Sequence, residues 1–141
     1  MVESTVWDRN VAGSSPVRPT IIRGDNMTEL ISKYFEAFNN KDLVTLSELY
    51  TDNVILNEWH ENIFTGKEAV LSANKTLFDK FNSVVIEVLS SGVDEISNIS
   101  SSYISLNEIS VSLDDDTHIT VVDIIEVVDN KIRGVTAYRG F

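Results

Sequence analysis

The sequence contains no cysteine, which excludes disulfides, thiolate metal sites and cysteine nucleophiles. No apolar run approaches the ~20 residues that a membrane-spanning helix needs, so we expect no membrane association. The first residues lack a basic start followed by an apolar block, which predicts no secretory signal. Together these absences lead us to expect a cytoplasmic protein.

Positive charge is also scarce. The chain has 11 Lys and Arg against 22 Asp and Glu, for a net charge of -11. Such a surface repels phosphate backbones, so we expect no nucleic-acid partner. We interpret the excess of acid as a source of solubility rather than as an adaptation to a basic partner.

The usual signatures of bound cofactors are missing. The two histidines, His60 and His118, lie on different predicted strands and lack the H-x-H or H-x-x-x-H spacing of metal ligands. There is no Gly-rich phosphate loop, P-loop or nucleophile elbow. The three aspartates at 114–116 fit a solvated hairpin tip better than a calcium loop. We therefore expect no cofactor and no metal.

Residues 1–26 differ from the rest of the chain, because they hold both prolines and show no apolar periodicity. Residues 11–17 resemble an in-frame translation of the T-arm of a transfer-RNA gene. We interpret residues 1–26 as a non-domain arm. It is either a mis-assigned start, with Met27 as the native initiator, or a genuine arm, and mass spectrometry of the protein from its own host would distinguish the two. Residues 27–141 are predicted to form one domain.

Helical spacing begins at Met27. Asn26 and Glu29 predict the cap of a first helix, and Asp42 predicts the cap of a second helix through residues 43–50. Thr65 and Glu68 predict the cap of a third. The first helix is predicted to bury one apolar face, made of Leu30, Ile31, Tyr34, Phe35 and Phe38.

Strand periodicity dominates the second half of the chain. Residues 54–59 alternate as one strand, and after Ser83 a period of two predicts strands at 84–91, 99–111, 117–128 and 132–139. Turn-forming residues separate them at 92–94, 114–116 and 129–131. Three helices followed by antiparallel strands predict an α+β domain, with a curved sheet wrapped around a helix layer.

The segment 34–60 concentrates side chains suited to proton transfer. Tyr34 lies on the apolar helix stripe, and the following strand ends in Asn57, Glu58, Trp59 and His60. Alternation favours Glu58 facing the core, with Asn57 and Trp59 opposite, unless a twist or bulge reverses the two sets. His60 is either an acid or base near neutral pH or a residue of the rim.

Asp123 is flanked by two apolar residues on each side, and by alternation it shares a face with Val121 and Ile125. A carboxyl on that face would be desolvated and inclined to stay protonated. It could then donate a hydrogen bond to developing negative charge. The alternative is a structural acid bonded to a buried partner. Tyr34 has a similar alternative, as a core tyrosine bonded across the cavity, for example to Asp123.

Several motifs resemble those of the nuclear transport factor 2-like superfamily, and within it the branch of SnoaL-like polyketide cyclases and ketosteroid isomerase-like proteins. The motifs are Tyr34 followed by Asp42, residues 49–54, residues 66–69, and Asp123 followed by residues 126–132. The resemblance covers Met27 to the C-terminus. It implies a cone of three helices on a strongly bent, mostly antiparallel sheet, a deep cavity, and a homodimer formed through the open sheet face.

The same resemblance implies roles for individual residues. Tyr34 matches an oxyanion-hole tyrosine, Asp123 a protonated second donor, and Glu58 the base that moves the proton. The chain has Glu where the isomerases have Asp, and Trp59 where they have proline. His60 is a further candidate base. The remaining pocket residues are expected to be Phe38, Asn57, Trp59, Phe78 and Tyr138.

Two functions are compatible with these residues. The first is a cofactor-free isomerase, cyclase or dehydratase that acts on a small apolar molecule by general acid–base catalysis. The second is a noncatalytic ligand-binding or dimeric interaction domain, which would have a cavity closed by large side chains or no converging acid and base.

Overall fold

A computed structural model describes residues 20–59, 61–95 and 102–140. Within them, three helices precede or interrupt six strands in the order α1 (Thr20–Asn39), α2 (Leu43–Leu49), β1 (Tyr50–Glu58), β2 (Asn62–Thr65), α3 (Lys67–Lys80), β3 (Val84–Glu95), β4 (Ser102–Leu113), β5 (Thr117–Val128) and β6 (Lys131–Arg139). The predicted α+β class is confirmed.

The strands form one open sheet in the order β2-β1-β6-β5-β4-β3. The β1–β6 pair is parallel, and every other pair is antiparallel. Register shifts between Val88 and Ser90 and between Glu126 and Val127 mark irregularities in the ladder. Irregularities of this kind bend strands and increase twist, which allows the sheet to curve around the helices.

The core lies between the helices and the concave face of this sheet. The apolar stripe of α1 is buried, from Leu30 to Phe38. In β4 and β5, buried residues alternate with more accessible ones, as expected for a sheet with one face packed and one face open. The apolar face of α1 and the apolar face of the sheet therefore form a single core.

The turn between α1 and α2 holds the helices together. The side chain of Asp42 caps α2 by accepting a hydrogen bond from the backbone N–H of Thr45 at 3.0 Å, as predicted. Lys41 Nζ donates to the carbonyl oxygens of Phe78 at 2.9 Å and Asn82 at 3.0 Å. A lysine at the last carbonyls of α3 satisfies groups that the helix itself leaves unpaired. These contacts fix α1 against α3.

Several predicted boundaries are wrong. Helix α1 begins at Thr20, ahead of the predicted cap at Asn26. The N-cap of α3 is Gly66, with φ 95°, and no side chain caps it, so Thr65 does not have the predicted role. Residues 92–94 continue β3 instead of forming a turn, because they pair with β4. Strand β2 was not predicted, since four residues are too few to establish a period.

No helix within the described ranges has the length and hydrophobicity needed to cross a membrane.

Candidate functional site

A cavity of about 150 Å³ lies between α1, α3 and the concave face of the sheet. Most of its wall is apolar, contributed by strands β1 and β3 to β6 and by residues such as Phe38 and Leu77. Its polar lining consists of Tyr34, Glu58, Trp59, Asn74 and Asp123. An apolar pocket with a few converging polar groups is the usual form of a small-molecule site.

Sheet register brings the two acids of the cavity together. Glu58 pairs with Ala137 across β1 and β6, and Asp123 pairs with Ala137 across β5 and β6. Paired residues point to the same face, so both carboxyl groups lie on the concave side, two strands or roughly 10 Å apart at the backbone. Alanine between them leaves the space above the sheet open. Glu58 thus faces the cavity, as the alternation from Val54 favours.

Asp123 has the environment of a protonated acid. Its side chain is buried, with a relative exposure of 7%. Burial, and secondarily the negative charge of Glu58, raises the pKa of Asp123 to about 7. Burial also raises the pKa of Glu58. Because Glu58 is only half-buried, it is the more readily ionised of the two, so the pair can provide one donor and one base near neutral pH.

The hydroxyl of Tyr34 belongs to a hydrogen-bond chain. Tyr50 donates its only hydroxyl proton to Asn74 Oδ1 at 2.8 Å. In the hydrogen bond between the two tyrosine hydroxyls, Tyr34 is therefore the donor. Burial raises the pKa of both tyrosines, so both stay protonated at neutral pH. Tyr34 must redirect its proton from Tyr50 in order to bond a ligand.

Neither Tyr50 nor Asn74 was predicted as a functional residue. Asn74 is 5% exposed, and it follows Val70 by one helical turn on the inner side of α3. The sequence signal that could have identified Asn74 is a polar residue four positions after Val70 on an apolar helix face. Its partner could not be recognised, because Tyr50 lies 24 residues away at the start of β1.

Trp59 enters the cavity in a way that strand alternation does not predict. Strand β1 ends at Glu58, and Trp59 has φ 52°, in the left-handed region that non-glycine residues seldom adopt. This turn brings its side chain to the same cavity as Glu58. The indole Nε1 is buried and has no hydrogen-bond partner among the residues that the structure describes. An unused donor in a cavity wall is available to a ligand.

The other residues predicted for the pocket are dispersed. Phe38 lines the cavity, whereas Phe78 packs edge-on behind it, with ring centroids 5.3 Å apart. Tyr138 pairs with Val122 on the opposite, convex face and is 39% exposed. Asn57 is also absent from the cavity wall, since it alternates with Glu58 along β1. His60 lies outside the described residues.

In the described part of the chain, no group of three or more His, Asp or Glu side chains could hold a metal ion. His118 lies away from the cavity, and its Nδ1 is 2.9 Å from the hydroxyl oxygen of Ser112. The cavity therefore offers proton donors and acceptors: one buried acid, one half-buried carboxylate, a tyrosine hydroxyl and an indole N–H.

Comparison with known proteins gives a family and a fold. The profile of the SnoaL-like domain matches residues 31–135. Among solved structures, a candidate ketosteroid isomerase from Kribbella flavida superposes with a TM-score of 0.68 at 18% identity, covering 83% of this chain and 79% of the other. No curated protein matches the sequence.

Two further structures share the architecture. A hexachlorocyclohexane dehydrochlorinase from Novosphingobium barchaimii has a TM-score of 0.72 at 11% identity, with 86% of this chain and 88% of the other covered. A candidate dehydratase of the NTF2-like family from Streptomyces avermitilis has a TM-score of 0.71 at 14% identity, with coverage of 86% and 98%. At these identities the likeness establishes the fold.

Proposed function

This chain belongs to the family of SnoaL-like domains, and we propose that it is a small-molecule enzyme that moves a proton by general acid–base catalysis. The reaction would be of the isomerase, cyclase or dehydratase kind and would use the protein's own side chains. The observation that carries the proposal is the pair formed by Glu58 and Asp123 on either side of Ala137. A base and a protonated donor facing one apolar cavity are what enolisation requires.

In the proposed reaction, Glu58 removes a proton from the carbon next to a substrate carbonyl. The electron pair of the broken C–H bond moves into an enolate, and negative charge develops on the carbonyl oxygen. The hydroxyl of Asp123 donates a hydrogen bond to that oxygen, with the Trp59 indole N–H or a redirected Tyr34 hydroxyl as a second donor. Glu58 then returns the proton to another carbon, so an isomerisation is balanced without any co-reactant.

The cavity size limits the substrate that we propose. A protein cavity of about 150 Å³ holds a molecule of roughly benzene size. We therefore propose a small, uncharged carbonyl compound with a single ring or a short chain. A four-ring skeleton would require the walls to move apart, which would expose the apolar side chains that now pack the cone.

The proposal is tested with 3-cyclohexen-1-one, a single-ring ketone whose isomerisation to the conjugated 2-cyclohexen-1-one is followed by ultraviolet absorbance. We expect the wild type to accelerate this conversion over buffer. Tyr34→Phe should lower kcat by roughly tenfold with little change in KM. This is less than the full effect of losing an oxyanion donor, because Tyr34 donates to Tyr50 in the resting protein.

Tyr138→Phe is the matched control, because it removes the same hydroxyl from the convex face. It should keep the wild-type rate. If the wild type binds cyclohexanone in the cavity but never exceeds the buffer rate with the ring ketone, the protein is a ligand-binding domain and the catalytic proposal fails.

We also propose that the protein forms a homodimer through the convex face of the sheet. This face exposes a group of apolar side chains, at 37–44% each, made up of Ile55, Leu106, Val122 and Tyr138. Several exposed apolar side chains on one face of a sheet are typical of protein interfaces. We expect the wild type to elute as a dimer in size-exclusion chromatography with light scattering, and Val122→Asp to elute as a monomer. Val44→Asp, at an exposed position on α2, should remain dimeric; a monomeric wild type would contradict the proposal.

A further inference from the structure

A second cavity, the α1–β3 groove, lies beside the first, and the two share none of the described residues that line them. It has a volume of about 440 Å³ and runs between α1 and the strands β3 and β4. It is therefore larger than the candidate active site, although none of the proposed chemistry uses it.

The floor of the groove is polar and buried. Ser105 and Asn107 line it, and each is only 1% exposed. Asn107 Nδ2 donates to the hydroxyl oxygen of Ser105 at 2.9 Å. Asn107 Oδ1 is buried and has no hydrogen-bond partner within residues 20–59, 61–95 and 102–140. Buried amide oxygens are rarely left unpaired, because desolvation without a hydrogen bond is unfavourable. A ligand with a suitable N–H or O–H would satisfy this acceptor.

The walls of the groove specify the rest of such a ligand. Ile31, Phe35, Val88 and Val93 provide apolar surface, and among the described residues of the lining the only charged one is Glu36, on the exposed side of α1. No Lys or Arg is found among the described residues that line the groove. The site combines one buried acceptor, a carboxylate at the rim and an apolar wall, which favours a cation with an apolar body over an anion.

The groove is also connected to the candidate active site through the sheet. Asn107 pairs with Ser91 on one side and with Asp123 on the other, so these residues form one transverse row on the concave face. Directly paired residues have Cβ atoms about 4.5–5.5 Å apart. A group bound at Asn107 would therefore lie one strand away from the proposed catalytic acid.

We propose that the α1–β3 groove is a second binding site, which takes a small organic ammonium ion with an apolar body and pairs its N–H with Asn107 Oδ1. The ring or alkyl part lies against Phe35 and the two valines, and the ammonium group is held between the amide oxygen and the acidic rim. This site does not depend on the proposed chemistry, because its recognition groups are separate from Glu58, Tyr34 and Trp59.

The probe is benzylammonium chloride, added to the full-length 15N-labelled protein and followed by amide chemical shifts. We expect saturable shifts at Ser91, Val93, Ser105 and Asn107, with a Kd of about 1 mM, which is ordinary for a ligand of this size. Benzoate, which has the same ring and the opposite charge, should produce no saturable shifts at these residues.

Two variants test the site from different sides. Asn107→Leu removes the acceptor at nearly constant volume and should weaken benzylammonium binding at least tenfold. Ser91→Trp should fill the groove from its exposed side without altering the buried amide, and should abolish binding even if Asn107→Leu proves unstable. Asn53→Leu, the same change at an exposed position of β1, should bind as the wild type does.

Three results would overturn the proposal. They are shifts confined to residues of the other cavity such as Glu58 and Ala137, equal binding of benzoate, and unchanged affinity in Ser91→Trp. Because the readout is binding, a protein that lacks isomerase activity but shows the expected shifts would contradict the proposed function and leave the second site standing.

Discussion

Glu58→Gln is expected to reduce turnover of 3-cyclohexen-1-one by roughly 10²- to 10⁴-fold, the range typical for loss of a general base. Glutamine has nearly the same shape as glutamate, but its amide cannot accept the proton that leaves the carbon. Glu58 lines the cavity beside Ala137 and opposite Asp123, so no other described carboxylate occupies the same position. Affinity for cyclohexanone, which has no isomerisation to complete, should stay within a few-fold of the wild type.

Glu61→Gln provides the matched control. Glu61 lies in the same turn, where its backbone N–H donates to the carbonyl oxygen of Glu58 at 2.8 Å, and its side chain is exposed. The control removes one negative charge near the site without removing the proposed base, and it should retain wild-type kcat. Equal losses in the two variants would indicate a general electrostatic effect and would argue against Glu58 as the base.

Asp123→Asn is expected to change how stability depends on pH. The native pKa of Asp123 is raised from 3.8 to about 7, so between these values the folded protein holds a proton that the unfolded chain has released. Over this range the contribution of Asp123 to the free energy of unfolding of the wild type falls as pH rises. The shift corresponds to an upper bound of roughly 4 kcal/mol. Asparagine is neutral at every pH, so the variant lacks this contribution.

Urea unfolding from pH 4 to pH 8 measures the effect as the difference between variant and wild type, because the other titrating groups are common to both. Relative to the wild type, Asp123→Asn should gain about 2–4 kcal/mol of stability across this range. Asp116→Asn, in the exposed turn between β4 and β5, should show no comparable gain. A pH-independent difference for Asp123→Asn would mean that the acid is ionised throughout, and the proposed donor role would then be lost.

Much of the fold could be predicted because helix and strand periods are local. The stripe from Leu30 to Phe38 and the alternation in β5 each follow from the geometry of a single element. The prediction failed where a longer-range contact overrides a local signal. Residues 92–94 resemble a turn, but backbone pairing with β4 keeps them extended.

The orientation of the residues in the candidate site could be predicted from the sequence to a similar extent. Alternation correctly indicated that Glu58 faces inward with Leu56 and that Asp123 lies on an apolar face. It placed Trp59 on the other side, because alternation holds only while the strand continues, and the strand ends one residue earlier. The partner of the Tyr34 hydroxyl proved to be Tyr50 rather than Asp123, a choice made by the packing of α1 on the start of β1.

The sequence by itself determined the types of most elements, the excess of acidic residues and the inward orientation of Glu58 and Asp123. These properties depend on backbone geometry and composition within short segments. Only the tertiary structure decided which of those residues meet. Ala137 separates Glu58 from Asp123, and Asn107 links Asp123 to the α1–β3 groove, because strand register joins residues that are far apart in sequence. The cavity volumes were likewise decided by packing between elements, since empty space depends on how all the walls fit together.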